Sequence, residues 1–190
     1  MTEERSAKIT LGGDEYELIL TTKATKEIAS HYGGLENLGE KLLKSENFEL
    51  ALDEIIWLIT LLANQSIKIH NLKNKDDKKE ELTTEYVELL TSPLELAEYK
   101  SAITEAMFKG TARNIESEIE TKKQSRRVSD IETFTRLYYY GTVQMGMTPD
   151  DFWFCPLGLF LDLWECHKQF TGISKPKIEM FIDDIILAGI

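Results

Sequence analysis

The sequence predicts a mainly α protein: a helical N-terminal domain preceded by a small β-hairpin, plus a small helical C-terminal domain. Three observations predict it. Apolar residues recur at steps of three and four, as in Leu96, Tyr99, Ile103 and Ala106, which is the period of an amphipathic helix. Short β-compatible runs, Lys8–Leu11 and Tyr16–Leu20, flank Gly12-Gly13-Asp14 near the N-terminus, the pattern of a hairpin. Residues 116–130, ESEIETKKQSRRVSD, offer only Ile119 and Val128 as apolar anchors. Such a stretch cannot form a core, so it reads as a linker between domains at 1–115 and 131–190.

The elements follow in order. A lone hairpin is only marginally stable, so this one must pack on the following helices or pair with another subunit. Thr21 or Thr22 can cap a helix running to Tyr32, stopped by Gly33-Gly34. A short helix is predicted over Leu35–Leu43. The next begins near Asn47 and is apolar on nearly every side from Leu50 to Leu62, which predicts the central helix of the N-terminal domain. Lys73–Glu81, KNKDDKKEE, has no apolar residue and reads as a solvated loop or a charge-laced helical extension. Ser92 with Pro93 and Glu95 predicts a helix start. Gly110 is expected to weaken the far half of that helix by up to about 1 kcal/mol relative to Ala.

The C-terminal part is dominated by Phe134–Phe170, which holds ten of the eighteen aromatic residues. Each such side chain removes about 150–250 Å² from water when it packs. Ser129 or Asp130 can cap a helix on which Ile131, Phe134 and Tyr138 share a face, with Tyr139 and Tyr140 elsewhere. Thr148, Pro149, Asp150 and Asp151 form the signature of a helix start: a capping side chain, a proline at the first position and acidic charge at the positive end of the helix dipole. A further helix is predicted from near Pro156, apolar over more than half its circumference, with Asp162, Glu165 and Gln169 as its narrow polar stripe. Lys177–Ile190 gives a short last helix on the spacing of Ile178, Phe181, Ile182, Ile185 and Ile186.

Composition bounds the function. A net charge of −11 and a pI near 4.8 oppose non-specific binding to nucleic acid or anionic membranes, which needs a basic surface to displace counterions. The start MTEERSAKIT has no apolar segment of the kind a secretory signal requires. The longest nearly apolar run, Ile55–Ala63, is interrupted by Thr60 and falls short of the roughly 20 residues that span a bilayer. A soluble cytoplasmic protein without membrane contact is expected.

Little in the chain points to chemistry. Cys155, Cys166 and His167 are the candidate metal ligands, but no CxxC or HxxxH pair exists and adjacent helical residues diverge by about a hundred degrees. His31 and His70 have no partner at ligand spacing. Asp150-Asp151 reads as helix-start charge and Asp183-Asp184 as a solvated face. There is no phosphate-binding glycine loop, nucleophile elbow or defined triad. The sequence therefore predicts a non-enzyme, with no catalytic residue, no cofactor and no metal.

The order of a tyrosine-rich helix, then Met145-Gly146-Met147-Thr148-Pro149-Asp150-Asp151-Phe152-Trp153, then a Leu/Trp helix resembles the C-terminal part of tail assembly chaperones of long-tailed, siphovirus-type bacteriophages. The resemblance covers about residues 131–170, and the preceding chain in general layout. Cys155-Pro156-Leu157-Gly158 departs from it, standing where a polar cap and a Pro-charged pair are expected. The resemblance implies a full-length chaperone whose C-terminal extension is often added by programmed ribosomal frameshifting. Lys122-Lys123 is then the expected slippery site, with Lys78-Lys79 the less apt one. It also implies that the protein binds the tape measure protein, recruits major tail protein in the host cytoplasm, and is absent from the mature virion. The expected protein-interface residues are Tyr138, Phe152, Trp153, Phe160 and Trp164, because large aromatics dominate interface energetics. The surplus of apolar helix faces favours a homo-oligomer. The alternative is a helical DNA-binding regulator of phage origin, which rests on the basic residues Lys122, Lys123, Arg126 and Arg127 alone.

Overall fold

The computed structural model describes residues 3–34, 37, 48–92, 94–116 and 129–176, which form a mostly helical fold with a small N-terminal hairpin. The hairpin pairs β1 (Ser6–Leu11) with β2 (Asp14–Ile19), Leu11 standing opposite Asp14 and Ser6 opposite Ile19. Only Gly12 and Gly13 remain for the loop, at φ of 59° and 95°, left-handed values that a two-residue hairpin turn demands and glycine adopts without strain. Asp14, expected in the connector, is the first residue of β2. Ala7, Ile9 and Leu11 point into the core and alternate with exposed Lys8 and Thr10.

Helix α1 (Thr22–Tyr32) starts where the Thr21 hydroxyl accepts the Ala24 N–H at 3.1 Å and stops at Gly33, whose φ is 69°. Helix α2 (Phe48–Lys73) carries the expected apolar run and is the central element: Ile55, Leu58, Ile59, Leu62 and Ala63 are all buried, and β2 packs along it. The charged run after it is an exposed non-helical segment. It leads into α3 (Thr84–Leu90), which starts on a cap from Thr83 to the Tyr86 N–H and buries Val87. The sequence reading contains no such helix. Helix α4 (Leu96–Thr111) presents the expected stripe of Leu96, Tyr99, Ile103 and Ala106 to the core and packs on β1. It starts at Leu96, not next to Ser92, because Ser92 and Glu95 close a turn on each other: Glu95 N–H donates to the Ser92 carbonyl at 2.9 Å, and Ser92 N–H to the Glu95 carboxylate at 3.0 Å. Gly110 is buried. A Cβ there would stand 2.6 Å from Cβ of Leu20, so the glycine permits a close approach and is not merely a weak point in the helix.

Past residue 129 come α5 (Asp130–Tyr139), capped by Ser129, a π-helical turn (Tyr140–Gln144), α6 (Pro149–Trp153) and α7 (Leu157–Phe170). On α5 Phe134 is buried and Tyr138 half-buried, whereas Ile131, expected on the same face, is 80% exposed. The helices predicted over Leu35–Leu43 and Ile178–Gly189, the basic Lys122–Arg127 run and Asp183-Asp184 lie outside the described residues, apart from Asn37. Two hydrophobic clusters result, one around the hairpin, α1, α2 and α4, the other around Phe152, Cys155 and Phe160.

At the seam between the clusters, the acidic residues of the α7 polar stripe are buried. Asp162 and Glu165 are each only 5% exposed, and the apolar Leu163 and Phe170 face outward instead. Asp162 accepts from Arg5 Nη2 at 3.0 Å, from Arg113 Nε at 3.0 Å, and from the backbone N–H groups of Asn114 and Ile115 at 3.1 Å. Glu165 pairs with Lys168 at 2.6 Å and accepts from the Ser174 hydroxyl at 2.7 Å. The polar stripe turns inward because its partners, Arg5 and Arg113, come from the other part of the chain. Thr22 N–H also donates to the Cys155 carbonyl at 2.9 Å, and Thr21 forms a bridge with Pro156. That pairing accounts for Cys155-Pro156, where a polar cap is expected: the residues are extended backbone laid against the start of α1. Gly158 follows because an added Cβ would lie 2.1 Å from the Ala112 carbonyl oxygen.

Candidate protein-binding face

Local sequence sets the aromatic face. The Thr148 hydroxyl accepts the Asp151 N–H at 3.1 Å while the Asp151 carboxylate accepts the Thr148 N–H at 3.3 Å. This reciprocal capping box fixes the short α6 and aims Phe152 inward. The π-helical turn places Gly141 against it, where a Cβ would meet the Phe152 ring at 2.6 Å and the Phe160 ring at 3.1 Å. Phe152 and Phe160 meet edge to face at 5.1 Å, and Tyr138 meets Phe152 the same way at 5.3 Å.

Of the five expected interface residues, Phe152 and Phe160 are therefore fully buried core and offer nothing to a partner in this conformation. Tyr138, Trp153 and Trp164 are half-buried. Tyr138 and Trp153 stack at 5.5 Å, and the ammonium of Lys26, from α1, lies 5.1 Å from the Trp153 ring centroid, within cation–π range. Lys23 stands similarly over Phe154 at 5.6 Å. Lys23, Lys26, Trp153 and Phe154, with Glu27, Ser30 and Asp150, line a groove of about 440 Å³. Trp164 forms a second stack, on Tyr140 at 4.3 Å and on His167 at 5.4 Å. Exposed Tyr139, Val143, Leu163, Phe170 and Ile173 add apolar surface on the same stretch of chain. Sequence reading misses Lys23 and Lys26. Their three-residue spacing puts them on one side of α1, but nothing local says that Phe154 and Trp153 sit beneath them.

The histidines and cysteines singled out in the sequence have these surroundings. His31 stacks on Trp57 at 4.2 Å and lies 3.3 Å from Glu54. His70 meets the Asp77 carbonyl at 2.8 Å. Cys155 is buried, and that burial pushes its thiol up to about 12, so it stays protonated at neutral pH. Cys166 is exposed. Among the described residues no group of three or more His, Cys, Asp or Glu side chains is arranged to hold a metal ion, and no helix is long and apolar enough to cross a membrane. The chain matches no family model, no curated protein and no solved structure.

Proposed function

We propose that this chain is a tail assembly chaperone of a long-tailed bacteriophage, acting in the host cytoplasm and absent from the finished virion. It divides into an N-terminal helical chaperone domain (1–115), a linker (116–130) and a C-terminal aromatic-rich helical domain (131–190). The N-terminal part holds the long tape measure protein and the C-terminal part recruits major tail protein. One observation carries the reading: the segment that resembles these chaperones bears half-exposed Trp153 and Trp164, braced by the buried Phe152 and Phe160. Rigid aromatic rings at a partly wet surface are what protein interfaces use as anchors. The net charge of −11 keeps a complex with an aggregation-prone apolar client dispersed. Phe152 and Phe160 act as the scaffold, so the contacts fall to Tyr138, Trp153 and Trp164. The test is co-expression with the major tail protein and tape measure protein encoded beside this gene. Co-purification of both supports the reading, and recovery of this chain without either refutes it.

A further inference from the structure

The two edges of the hairpin are treated differently. Along β1, helix α4 covers the edge: the Tyr99 hydroxyl donates to the Thr10 carbonyl at 3.2 Å and the Lys109 ammonium to the Ser6 carbonyl at 3.1 Å. Thr10 and Ser6 thus turn their backbone groups away from β2. In an antiparallel ladder, residues directly opposite one another share that orientation, so the partners Glu15 and Ile19, and Glu17 opposite Lys8, turn theirs outward from β2. Among the described residues no backbone group bonds to the outward N–H or C=O of Glu15 or Glu17.

Beside this edge runs a groove of about 850 Å³, with residues 14–17 of β2 on one wall, residues 79–83 on the other, and Ser66, Ile67 and His70 of α2 between them. The far wall is pinned. Asn71 accepts the Lys79 N–H at 2.8 Å and donates to its carbonyl at 2.9 Å, and Asn64 does the same for Leu82 at 2.8 Å each way. Two asparagines seven positions apart on α2 therefore hold residues 79–82 alongside the helix and antiparallel to it, facing the outer edge of β2. The geometry is a slot for one more strand, built before any strand enters it.

Charge selects the occupant. Glu15 is paired with Lys8 and Glu81 with Lys68, but Asp14 and Glu80 have no cationic partner among the described residues. Lys79 is the one lysine or arginine among the residues lining the slot. A second copy of β2 would bring Asp14, Glu15 and Glu17 against these same carboxylates, and like charges facing each other across strands repel.

We propose that the slot between β2 and residues 79–83 receives an extended, lysine- or arginine-rich segment of another polypeptide by β-strand addition. The inference is independent of the aromatic face. The probe is an eight-residue peptide of alternating lysine and threonine with blocked ends, titrated into the full chain while amide exchange is followed residue by residue. Saturable binding is expected, with exchange at the Glu15 and Glu17 amides slowed about tenfold or more. N-methylation of alternate peptide amides, which removes backbone donors and leaves the charge, should weaken binding by about tenfold. A glutamate-for-lysine peptide should not bind. Glu17→Pro removes one outward N–H and leaves the β1 ladder intact, and should weaken binding similarly.

Three results would overturn the proposal. One is no binding of the lysine peptide. Another is equal affinity after N-methylation, which would mean charge attraction without a strand. The last is protection of the same amides on concentrating the protein alone, which would make a second copy the occupant.

Discussion

Asp162 is the residue on which the two hydrophobic clusters meet. Burial alone would raise its carboxyl, but the N–H groups of Ile115 and Asn114 and the Arg113 guanidinium outweigh that and hold it below its ordinary 3.8. A carboxyl depressed in the folded state stabilises the fold above its unfolded value and loses that contribution as pH falls through the folded value. Asp162→Asn, which leaves Arg5 buried without its counter-charge, should destabilise the protein by about 3–5 kcal/mol in urea unfolding at neutral pH. The gap between variant and wild type should narrow below about pH 4 as the native carboxyl protonates; a gap constant down to pH 2 would show that the charge is not what Asp162 supplies. The sequence shows Asp162, Glu165 and Gln169 as a narrow polar stripe and does not say what the stripe meets. Arg5 is 157 positions away, and no local pattern can announce that pairing.

Several elements were legible from local boundary chemistry, although Ser92 and Glu95 close a turn and the helix they announce starts at Leu96. Thr21, Ser129 and Thr148 cap their helices as their side chains dictate, and Gly12-Gly13 and Gly33 turn where glycine is needed. Helix α3 was not legible, since it is seven residues long and buries only Val87; its stability comes from packing against α2, which propensity does not record. Glycines within helices divide the two readings most sharply. Helix propensity alone makes Gly110→Ala stabilising by about 1 kcal/mol. The approach of Leu20 predicts the opposite, a loss of about 1–3 kcal/mol from overpacking, and thermal unfolding decides the sign. Gly158→Ala should cost at least as much, because the obstructing atom is the backbone oxygen of Ala112 and cannot rotate away.

At the scale of the molecule, the hairpin–helix cluster and the aromatic cluster share backbone hydrogen bonds at Thr22 and the buried Arg5–Asp162 pair. Unfolding should therefore be one coincident transition whether followed at Trp57, in the first cluster, or at Trp153 and Trp164 near the second, using single-tryptophan variants. Two separated midpoints would show that the seam does not couple them. The fold class was legible because hydrophobic period is a local property. Which aromatics stay accessible was not legible, because finding Phe152 and Phe160 buried and Trp153 and Trp164 half-buried requires knowing what packs behind them. The proposed grip on a tail protein belongs to this half-exposed aromatic face. Its most direct test is calorimetric titration of major tail protein into wild type and into the Trp153→Ala/Trp164→Ala variant, with the fold of each checked by circular dichroism. Tight binding by the wild type and a loss of about 2 kcal/mol or more in the folded variant are expected; equal affinities, or no binding by the wild type, would rule the grip out.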